Sequence, residues 1–419
     1  MKKYVEVYDY FKKLIENGAL KAGDRLPSIR NACNILSVSK TTVQNAYFDL
    51  LADGYIISVD KSGYYVTEQK SISEVKCEAK PECQILYDLK SGDADEESFD
   101  IKLWQRYIKS ALRSQGRLLS YSEVQGEADL RQALSDYIRE KRNVTASPDR
   151  IIVGAGVQWL LSVLCSLVKD RKTVSFPDKS FVQGISLFED YGYDVHTRYK
   201  DADIIYVSPS HMTAYGDVMP MKRRLELVKY SEKTGSIIIE DDYDSDFLYQ
   251  SKPTPSLYAL SANDNVVYMG SFSIVLIPGI RISYMVLTQE LAKRFEASKH
   301  KFAQTASKTE QIALCQYIRD GHISSQTRKV RRHYTSKARL LFDNIKAELP
   351  DAAVTLGDNG LRVLINTDFS GDISDFEKNK ISVSIIKFED GKITLSLTPS
   401  AIKECDIPKA VAVLKSILN

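Results

Sequence analysis

The sequence predicts an α/β protein in two unequal parts: a small N-terminal domain of helices and one hairpin, and a large domain with a mostly parallel sheet covered by helices. Three observations lead to this fold class. The 419-residue chain is 43% hydrophobic, enough for more than one buried core. Apolar runs rich in β-branched residues recur along its C-terminal part, separated by helix-length amphipathic segments. Residues 67–84 are polar and contain no aromatic side chain, as is typical of a linker.

The domain boundaries follow from these changes in composition. We expect an N-terminal domain at 1–66, a linker at 67–84 and a large domain at 85–419. From about residue 330 the pattern changes to one charged helix, three strands and a final helix, which predicts a smaller α+β lobe over about 330–419.

Composition excludes some functions. The net charge is +2, from 57 basic and 55 acidic residues, so any surface that binds nucleic acid has to be local. The six cysteines lack CxxC spacing and the five histidines lack ligand spacing, so we expect reduced thiols and no metal site. The N-terminus has no apolar signal segment, and the uncharged stretch 151–168 is broken by Gly154 and Gly156. The sequence therefore predicts a cytoplasmic protein without a membrane partner.

The N-terminal domain contains two predicted helices joined by a turn, and a hairpin. Residues 28–36 form one helix, Ser37 and Val38 a turn, and Ser39 caps a second helix. Four apolar residues of the second helix share one face: Val43, Ala46, Tyr47 and Leu50. A hairpin, IISVDKSGYYV, follows with its turn at Gly63. Together these elements predict a winged helix-turn-helix.

The polar residues of this domain suit double-stranded DNA. Hydroxyls and backbone N–H groups at the start of the second helix can meet phosphates, Gln44 can contact a base edge, and basic side chains supply counter-charge. The candidate DNA contacts are Arg25, Arg30, Ser39, Lys40, Thr41, Thr42, Gln44, Lys61 and Gly63. The alternative is a winged helix that binds only protein.

Residues 25–66 resemble the GntR-type winged-helix regulators. The shared pattern is Leu-Pro-Ser-x-Arg, Val-Ser-x-x-Thr-Val, Ala-Tyr and Gly-Tyr, and it is matched throughout. The resemblance implies that the second helix and the wing contact an operator.

The large domain resembles the fold type I aminotransferases. The matching pieces are YSEVQGEADLRQAL at 121, VGAGVQWLL at 153, SPSHMTAYG at 208, EDDYDSDF at 240 and GSFSIVLIPGIRISYM at 270. A winged helix fused to this domain is the hallmark of the MocR branch of the GntR-type regulators. The resemblance implies a homodimer that binds operator DNA and senses a small-molecule effector.

The resemblance also implies roles around pyridoxal 5′-phosphate (PLP). Asp241 would pair with the pyridinium nitrogen, and Tyr243 would approach the ring hydroxyl. Phe181 would stack on the ring. The phosphate would lie near Gly156, Ser271, Ser273 and Arg281, with Val157 where the family often has a threonine.

The reactive residue of this pocket is missing. The family places its Schiff-base lysine at the position of Ile274, and an isoleucine has no amine. Met212 and Ala214 are further departures, and the segment between Tyr191 and Ile204 is shorter than in the family. We therefore expect a regulator that is not an enzyme and has no covalently bound cofactor, with non-covalent PLP binding left open.

Other interpretations remain open. One is a PLP-binding regulator or a PLP-dependent aminotransferase in which Ile274 replaces a native lysine. Another is a large domain that serves only as a dimerisation scaffold. Asp241 and Asp242 also suit an ordinary strand-end cluster, and Arg362 suits either an effector carboxylate or a structural role. The basic run 328–339 fits a solvated helix face.

Overall fold

A computed structural model of the chain describes residues 2–60, 62–67, 84–213, 215–243, 245, 254–357 and 360–418. Most of the predicted linker, together with Lys61 and Ala214, lies outside these residues. The chain divides into two compact units, residues 1–82 and 83–419.

The N-terminal unit is a three-helix domain with a wing. Its elements are α1 (Lys3–Glu16), α2 (Ile29–Leu36), α3 (Lys40–Ala52), β1 (Ile56–Val59) and β2 (Gly63–Val66), and the two strands pair antiparallel. Its core is formed by the side chains Val7, Phe11, Ile15, Leu26, Ala32, Val43, Ala46, Tyr47, Leu50, Ile56 and Val66. This core contains the four residues that the sequence placed on the inner face of the second helix.

Two serines set the boundaries of the helix-turn-helix. The Ser28 hydroxyl accepts a hydrogen bond from the backbone N–H of Asn31, and the Ser39 hydroxyl accepts one from Thr42, each at 3.3 Å. Ser37 ends α2 in the left-handed conformation, with φ 52°. The predicted helix, turn and second helix are therefore present, with the predicted cap at Ser39, while Ser28, predicted as the first residue of its helix, is the N-cap.

The second unit is larger and mixes helices with strands. Its helices are α4 (Ile101–Leu112), α5 (Gln115–Leu118), α6 (Ala128–Arg142), α7 (Val157–Leu167), α8 (Val182–Asp190), α9 (Met221–Thr234), α10 (Leu257–Leu260), α11 (Gln289–Ser298), α12 (Lys308–Arg319), α13 (His322–Glu348), α14 (Ser374–Lys378) and α15 (Ile407–Leu418). Its strands are β3 (Tyr87–Asp88), β4 (Ile151–Gly154), β5 (Thr173–Phe176), β6 (Asp194–Thr197), β7 (Ile204–Val207), β8 (Ile237–Asp241), β9 (Val266–Ser271), β10 (Ser283–Val286), β11 (Ala353–Leu356), β12 (Val363–Asp368), β13 (Ile381–Ser382), β14 (Ser384–Glu389) and β15 (Lys392–Leu397).

The main sheet of the described residues has the strand order β4-β10-β9-β8-β7-β5-β6. Only β10 runs antiparallel to its neighbours, β4 and β9. Alternate residues of each strand enter different cores: Ile151 and Val153 belong to one cluster and Ile152 to the other. Helices therefore cover both faces of the sheet, as the continuous apolar strands predict.

The smaller lobe has its own antiparallel sheet, β11-β12-β15-β14. It packs against α13 and α15, with Leu341, Ile365 and Val411 in its core. Residues outside 330–419 also belong to this lobe, because β3 pairs with β13 and Leu89 is buried in the same core. A two-residue strand is too short to be found from the sequence pattern.

No helix in the described part of the chain combines the length and the hydropathy that a bilayer span requires. The uncharged stretch 151–168 folds instead as β4 followed by α7. Within the same residues, no group of three or more histidine, cysteine, aspartate or glutamate side chains has metal-binding geometry.

Candidate functional site

A concave surface joins the helix-turn-helix to the wing. We call it the reading groove. Its volume is about 580 Å³, and its lining residues are Arg25, Leu26, Ser28, Ile29, Arg30, Cys33, Asn34, Lys40, Gly63 and Tyr64. It brings together four of the predicted DNA contacts, which lie up to 38 positions apart in the sequence.

Arg25 is held on the wing by its backbone and its side chain. Arg25 forms an isolated antiparallel bridge with Tyr65, and Leu26 donates its N–H to the Tyr64 carbonyl. A Cβ atom on Gly63 would lie only 3.3 Å from Nε of Arg25, and Gly63 has φ +118°. Glycine is therefore required here both for backbone conformation and for the approach of the guanidinium.

The N-terminus of α3 combines a fixed pair with exposed polar residues. The Ser39 and Thr42 hydroxyls lie 2.8 Å apart, so these two side chains hold the start of the helix. Lys40, Thr41 and Gln44 are exposed. The first N–H groups of a helix attract phosphate, and the exposed side chains add charge and hydrogen-bonding groups beside them.

The sequence reasoning missed six residues of the groove, of which Ser28, Asn34 and Tyr64 carry a hydroxyl or an amide. Asn34 lies one helical turn after Arg30, a spacing that places both on one face of α2 and could have identified it. The predicted contact Lys61 lies outside the described residues.

The second candidate site lies at one edge of the main sheet. The carboxyl ends of its parallel strands meet there, and ligands of open α/β sheets bind at such an edge. Gly156 follows β4, Asp241 ends β8 and Ser271 ends β9. Sequence-distant residues of the predicted cofactor pocket are therefore neighbours in the fold.

One end of this site suits an anion. Gly156 precedes α7 with φ +91°, and a Cβ atom there would lie 2.7 Å from Nη2 of Arg281. The positive φ favours glycine here, and the absence of a Cβ lets the guanidinium lie against the backbone at this helix N-terminus without shifting. The hydroxyl oxygens of Ser271 and Ser273 lie 3.1 Å from each other, at the end of β9. Val157, the first residue of α7, adds no hydroxyl.

Asp241 is engaged by a buried tyrosine. The Tyr206 hydroxyl donates a hydrogen bond to Asp241 Oδ2. Burial raises the pKa of Tyr206 well above 10, and the neighbouring Asp241 charge raises it further, so the hydroxyl keeps its proton. The Phe181 ring stacks on the Tyr206 ring, with centroids 5.3 Å apart. The predicted contacts of Asp241 and Phe181 with a cofactor ring stay predictions.

The carboxylates on either side of Asp241 are structural. Asp242 accepts hydrogen bonds from Nε of Arg142 at 2.7 Å and from the Tyr268 hydroxyl at 2.6 Å. Glu240 accepts from the backbone N–H groups of Leu257 and Tyr258, at 2.8 and 2.9 Å. The sequence offered an ordinary strand-end cluster as the alternative for Asp241 and Asp242, and the contacts of Asp242 are of that kind, as are those of Glu240, which the sequence reasoning did not consider.

Ile274 lines a small cavity between the sheet and the smaller lobe. Its volume is about 120 Å³, and it is lined by Lys90, Ser91, Gly92, His211, Tyr243, Ile274, Tyr334, Leu361, Arg362, Thr398, Pro399 and Ser400. Ile274 also packs against the large core that contains Phe272 and Val275. The structure thus brings together the predicted residues Tyr243, Ile274 and Arg362.

The residues present suit the phosphate of PLP but not its covalent attachment. Gly156 and Arg281 form a cradle for a phosphate, and Asp241 lies at the same sheet edge. At the position of the reactive amine the cavity offers the hydrocarbon of Ile274. The site suits an anion, and Ile274, at the position where the family resemblance predicts the Schiff-base lysine, has no amine.

Comparison with known families matches both units. A model of the bacterial regulatory proteins of the gntR family matches residues 3–66, and the aminotransferase class I and II model matches residues 84–203 and 196–380. These matches confirm the predicted combination of a GntR-type winged helix with an aminotransferase fold.

Individual relatives show the same architecture. The chain is 31% identical to the uncharacterized HTH-type transcriptional regulator YdeL of Bacillus subtilis (strain 168), over 99% of this chain and 96% of that protein. It is 28% identical to the probable rhizopine catabolism regulatory protein MocR of Rhizobium meliloti, over 83% of this chain and 78% of that protein. An archaeal alanine:glyoxylate aminotransferase structure shares the fold, with a TM-score of 0.71, 22% identity, and coverage of 79% of this chain and 90% of that one.

Proposed function

The chain belongs to the GntR family of bacterial regulatory proteins, in the MocR branch that carries an aminotransferase class I and II domain, and we propose that it regulates transcription by binding operator DNA in the reading groove. A bacterial protein that binds operator DNA acts in the cytoplasm, so the proposal implies that location.

The reading groove carries this proposal. Arg25, Arg30 and Lys40 bring three positive charges to one concave surface, and no carboxylate is among its described lining residues. Phosphate contacts of this kind supply most of the affinity for DNA, while exposed side chains of a recognition helix supply sequence preference. We assign phosphate contacts to these cations and to Ser39, Thr41, Thr42 and Gly63, and base contact to Gln44.

The test removes two exposed groups at the start of α3. Lys40→Ala combined with Thr41→Ala is expected to weaken binding several-fold, because one charge and one hydroxyl leave the phosphate surface. The slope of log affinity against log salt should fall by about 1. The measurement is fluorescence anisotropy with a duplex that the unmodified protein selects from random sequences.

A matched control keeps the test specific. Lys13→Ala removes an exposed positive charge from α1, and Lys13 does not line the groove. It should leave both the affinity and the salt slope unchanged. Equal binding by the double variant and the unmodified protein would contradict the assigned recognition helix.

For the large domain we propose ligand binding without transamination. Gly156, Ser271, Ser273 and Arg281 would hold the phosphate of non-covalently bound PLP. Asp241, Tyr243 and Phe181 would lie against its ring, and Val157 and Ile274 complete the surroundings. PLP supplies an electron sink when it is bound, but a chain without an amine at position 274 cannot attach it there.

A ligand in this domain can act only by changing the population of arrangements available to the protein. It must bind two arrangements unequally, since equal binding shifts no equilibrium. Arg362 lines the cavity beside Ile274 and Tyr243, and a guanidinium suits a carboxylate. We therefore propose an effector that carries a carboxylate and a homodimer as the arrangement that it biases.

A further inference from the structure

The connection from β6 to β7 is unusually short. Both strands run parallel to β5 and lie on opposite sides of it, yet only residues 198–203 join them. A connection between parallel strands of one sheet normally takes a dozen or more residues and contains a helix. We call residues 198–203 the crossover.

Hydrogen bonds fix the crossover along β5. Arg198 donates its N–H to the Phe176 carbonyl, and Tyr199 donates its N–H to the Ser175 hydroxyl, each at 2.9 Å. At the other end, Asp203 accepts from the Thr173 hydroxyl at 2.9 Å. The chain therefore follows β5 back from its end to its start, with a bend at Arg198 and a turn at 200–201, and the crossover itself contains no helix.

A pocket opens where a crossover helix would normally lie. We call it the crossover pocket. Its volume is about 670 Å³, and it lies between the crossover, the ends of β5 and β7, and α9. That volume is within the range of about 300–1,000 Å³ that is usual for small-molecule sites. It lies at the carboxyl ends of the strands but shares no lining residue with the cavity around Ile274.

The pocket combines an apolar floor with a basic rim. Ile205 and Val207 of β7 and Leu227 of α9 belong to the apolar cluster beneath it. Tyr199, which is 41% exposed, and Tyr230 add aromatic surface, and the Tyr230 hydroxyl donates to the Lys200 carbonyl.

Three cations, Arg198, Lys200 and Arg223, belong to the lining. The carboxylate of the lining is Glu226, which lies 3.5 Å from Arg223. Among the described residues neither Arg198 nor Lys200 is paired with a carboxylate within 4 Å, although Asp201 lies beside Tyr230 at the rim. An anion can therefore meet positive charge from Arg198 and Lys200, while an apolar or aromatic body covers the floor.

We propose that the crossover pocket is a binding site for a small aromatic anion, such as an aromatic carboxylate or sulfonate, distinct in its lining from the reading groove and from the cavity around Ile274. Its nearest approach to the predicted PLP contacts is Tyr206, which lines the pocket and donates to Asp241. Aromatic bodies suit a floor of branched aliphatic side chains flanked by tyrosines, and the negative group suits the basic rim.

The test uses 8-anilinonaphthalene-1-sulfonate, an aromatic anion that fluoresces in apolar surroundings, with the full-length protein. Saturable binding of one probe per chain is expected. Lys200→Glu should weaken it about fivefold to tenfold, because a rim cation becomes an anion. Ile205→Trp should abolish it, because the indole fills the floor.

Lys222→Glu is the matched control, because Lys222 lies on α9, is exposed and does not line the pocket. It should bind the probe as the unmodified protein does. DNA affinity and the midpoint of thermal unfolding report the folding of each variant, and Lys200→Glu should keep both. The proposal is overturned if the unmodified protein shows no saturable site, or if Lys200→Glu and Lys222→Glu bind the probe equally.

Discussion

The side chain at position 274 is central to the chemistry that we propose for the large domain. Ile274 lies in a cavity with Tyr243 and Arg362, and it also packs into the core below. The surrounding polar groups remain in place: the guanidinium of Arg281 still reaches Gly156, and Asp241 still ends its strand at the sheet edge. Electrostatic attraction for an anionic cofactor can therefore persist although the covalent anchor is absent.

Ile274→Lys is expected to restore the covalent anchor. The unmodified protein should bind PLP reversibly, and the variant should become covalently labelled after borohydride reduction. Calorimetric titration measures binding in both proteins, and peptide mass spectrometry locates the label. Arg281→Ala should weaken binding about tenfold or more in either background, because a charge-assisted phosphate contact is lost.

The alternatives give different results. A label on the unmodified protein would place a reactive amine elsewhere, with Lys90 of the same cavity as the first residue to examine. An absence of PLP binding even by Ile274→Lys would favour a scaffold whose pocket has lost the cofactor.

At the scale of elements, the long helix α13 is tied to the start of the large domain by a buried ion pair. Asp95 accepts hydrogen bonds from Nζ of Lys337 at 2.5 Å and from Nε2 of His333 at 2.7 Å. The Lys337 side chain is 0% exposed and also donates to the Ser400 carbonyl at 3.0 Å. This contact joins three segments that are distant in the sequence.

Asp95→Asn is expected to lower the free energy of unfolding by roughly 3 kcal/mol at neutral pH, because it leaves the buried Lys337 charge unpaired. Burial raises the pKa of Asp95, but the hydrogen bonds from Lys337 and His333 lower it more, so the pKa lies below its ordinary 3.8. A carboxyl with a lowered folded pKa stabilises above its unfolded pKa and loses that stabilisation as pH falls through the folded value. The deficit should therefore be full at neutral pH and shrink in acid below 3.8.

Urea denaturation at several pH values measures this difference. Asp93→Asn is the control, because it makes the same substitution at an exposed position two residues away. A deficit that stayed constant down to the lowest pH would show that the Asp95 charge does not cause it.

Sequence patterns predicted the elements that obey simple periodicity. The runs at 151, 173, 204, 236 and 265 became β4, β5, β7, β8 and β9, because a strand buried on both faces is continuously apolar. The cap of α3 at Ser39 was predicted because serine at an N-cap has a distinct chemical role.

Other features had no such signal. An apolar run carries no information on strand direction, so the run at 281 predicted the strand β10 but not its antiparallel direction. The edge strand β6, with the sequence DVHT, lacks both a continuous apolar run and clear alternation. The cavity that joins Ile274 to Arg362, and the approach of Arg281 to Gly156, depend on packing between distant segments and cannot be found from spacing.

At the scale of the whole molecule, family membership leads us to expect a symmetric dimer. A two-fold axis would present two copies of α3, and each copy would occupy one half-site of the operator. The affinity of the pair then exceeds that of one copy, because the second contact forms within an existing complex.

A duplex with both half-sites should therefore bind about 100-fold more tightly than one in which the second half-site is scrambled. Anisotropy gives the affinities, and sedimentation gives the stoichiometry, which should be two chains per duplex. Equal affinities for the two duplexes, with one chain per duplex, would mean that the protein binds DNA as a monomer.

The hydrophobic core of the winged helix has a consequence for the fate of the protein in a cell. Every member of that core lies between Val7 and Val66, and none comes from the large unit. A protease that cut within 67–84 would release a fragment with its own complete core and an intact reading groove. Such a fragment would bind operator half-sites only with the lower affinity of a single copy and without responding to any ligand of the large domain, so cleavage would separate DNA binding from its regulation.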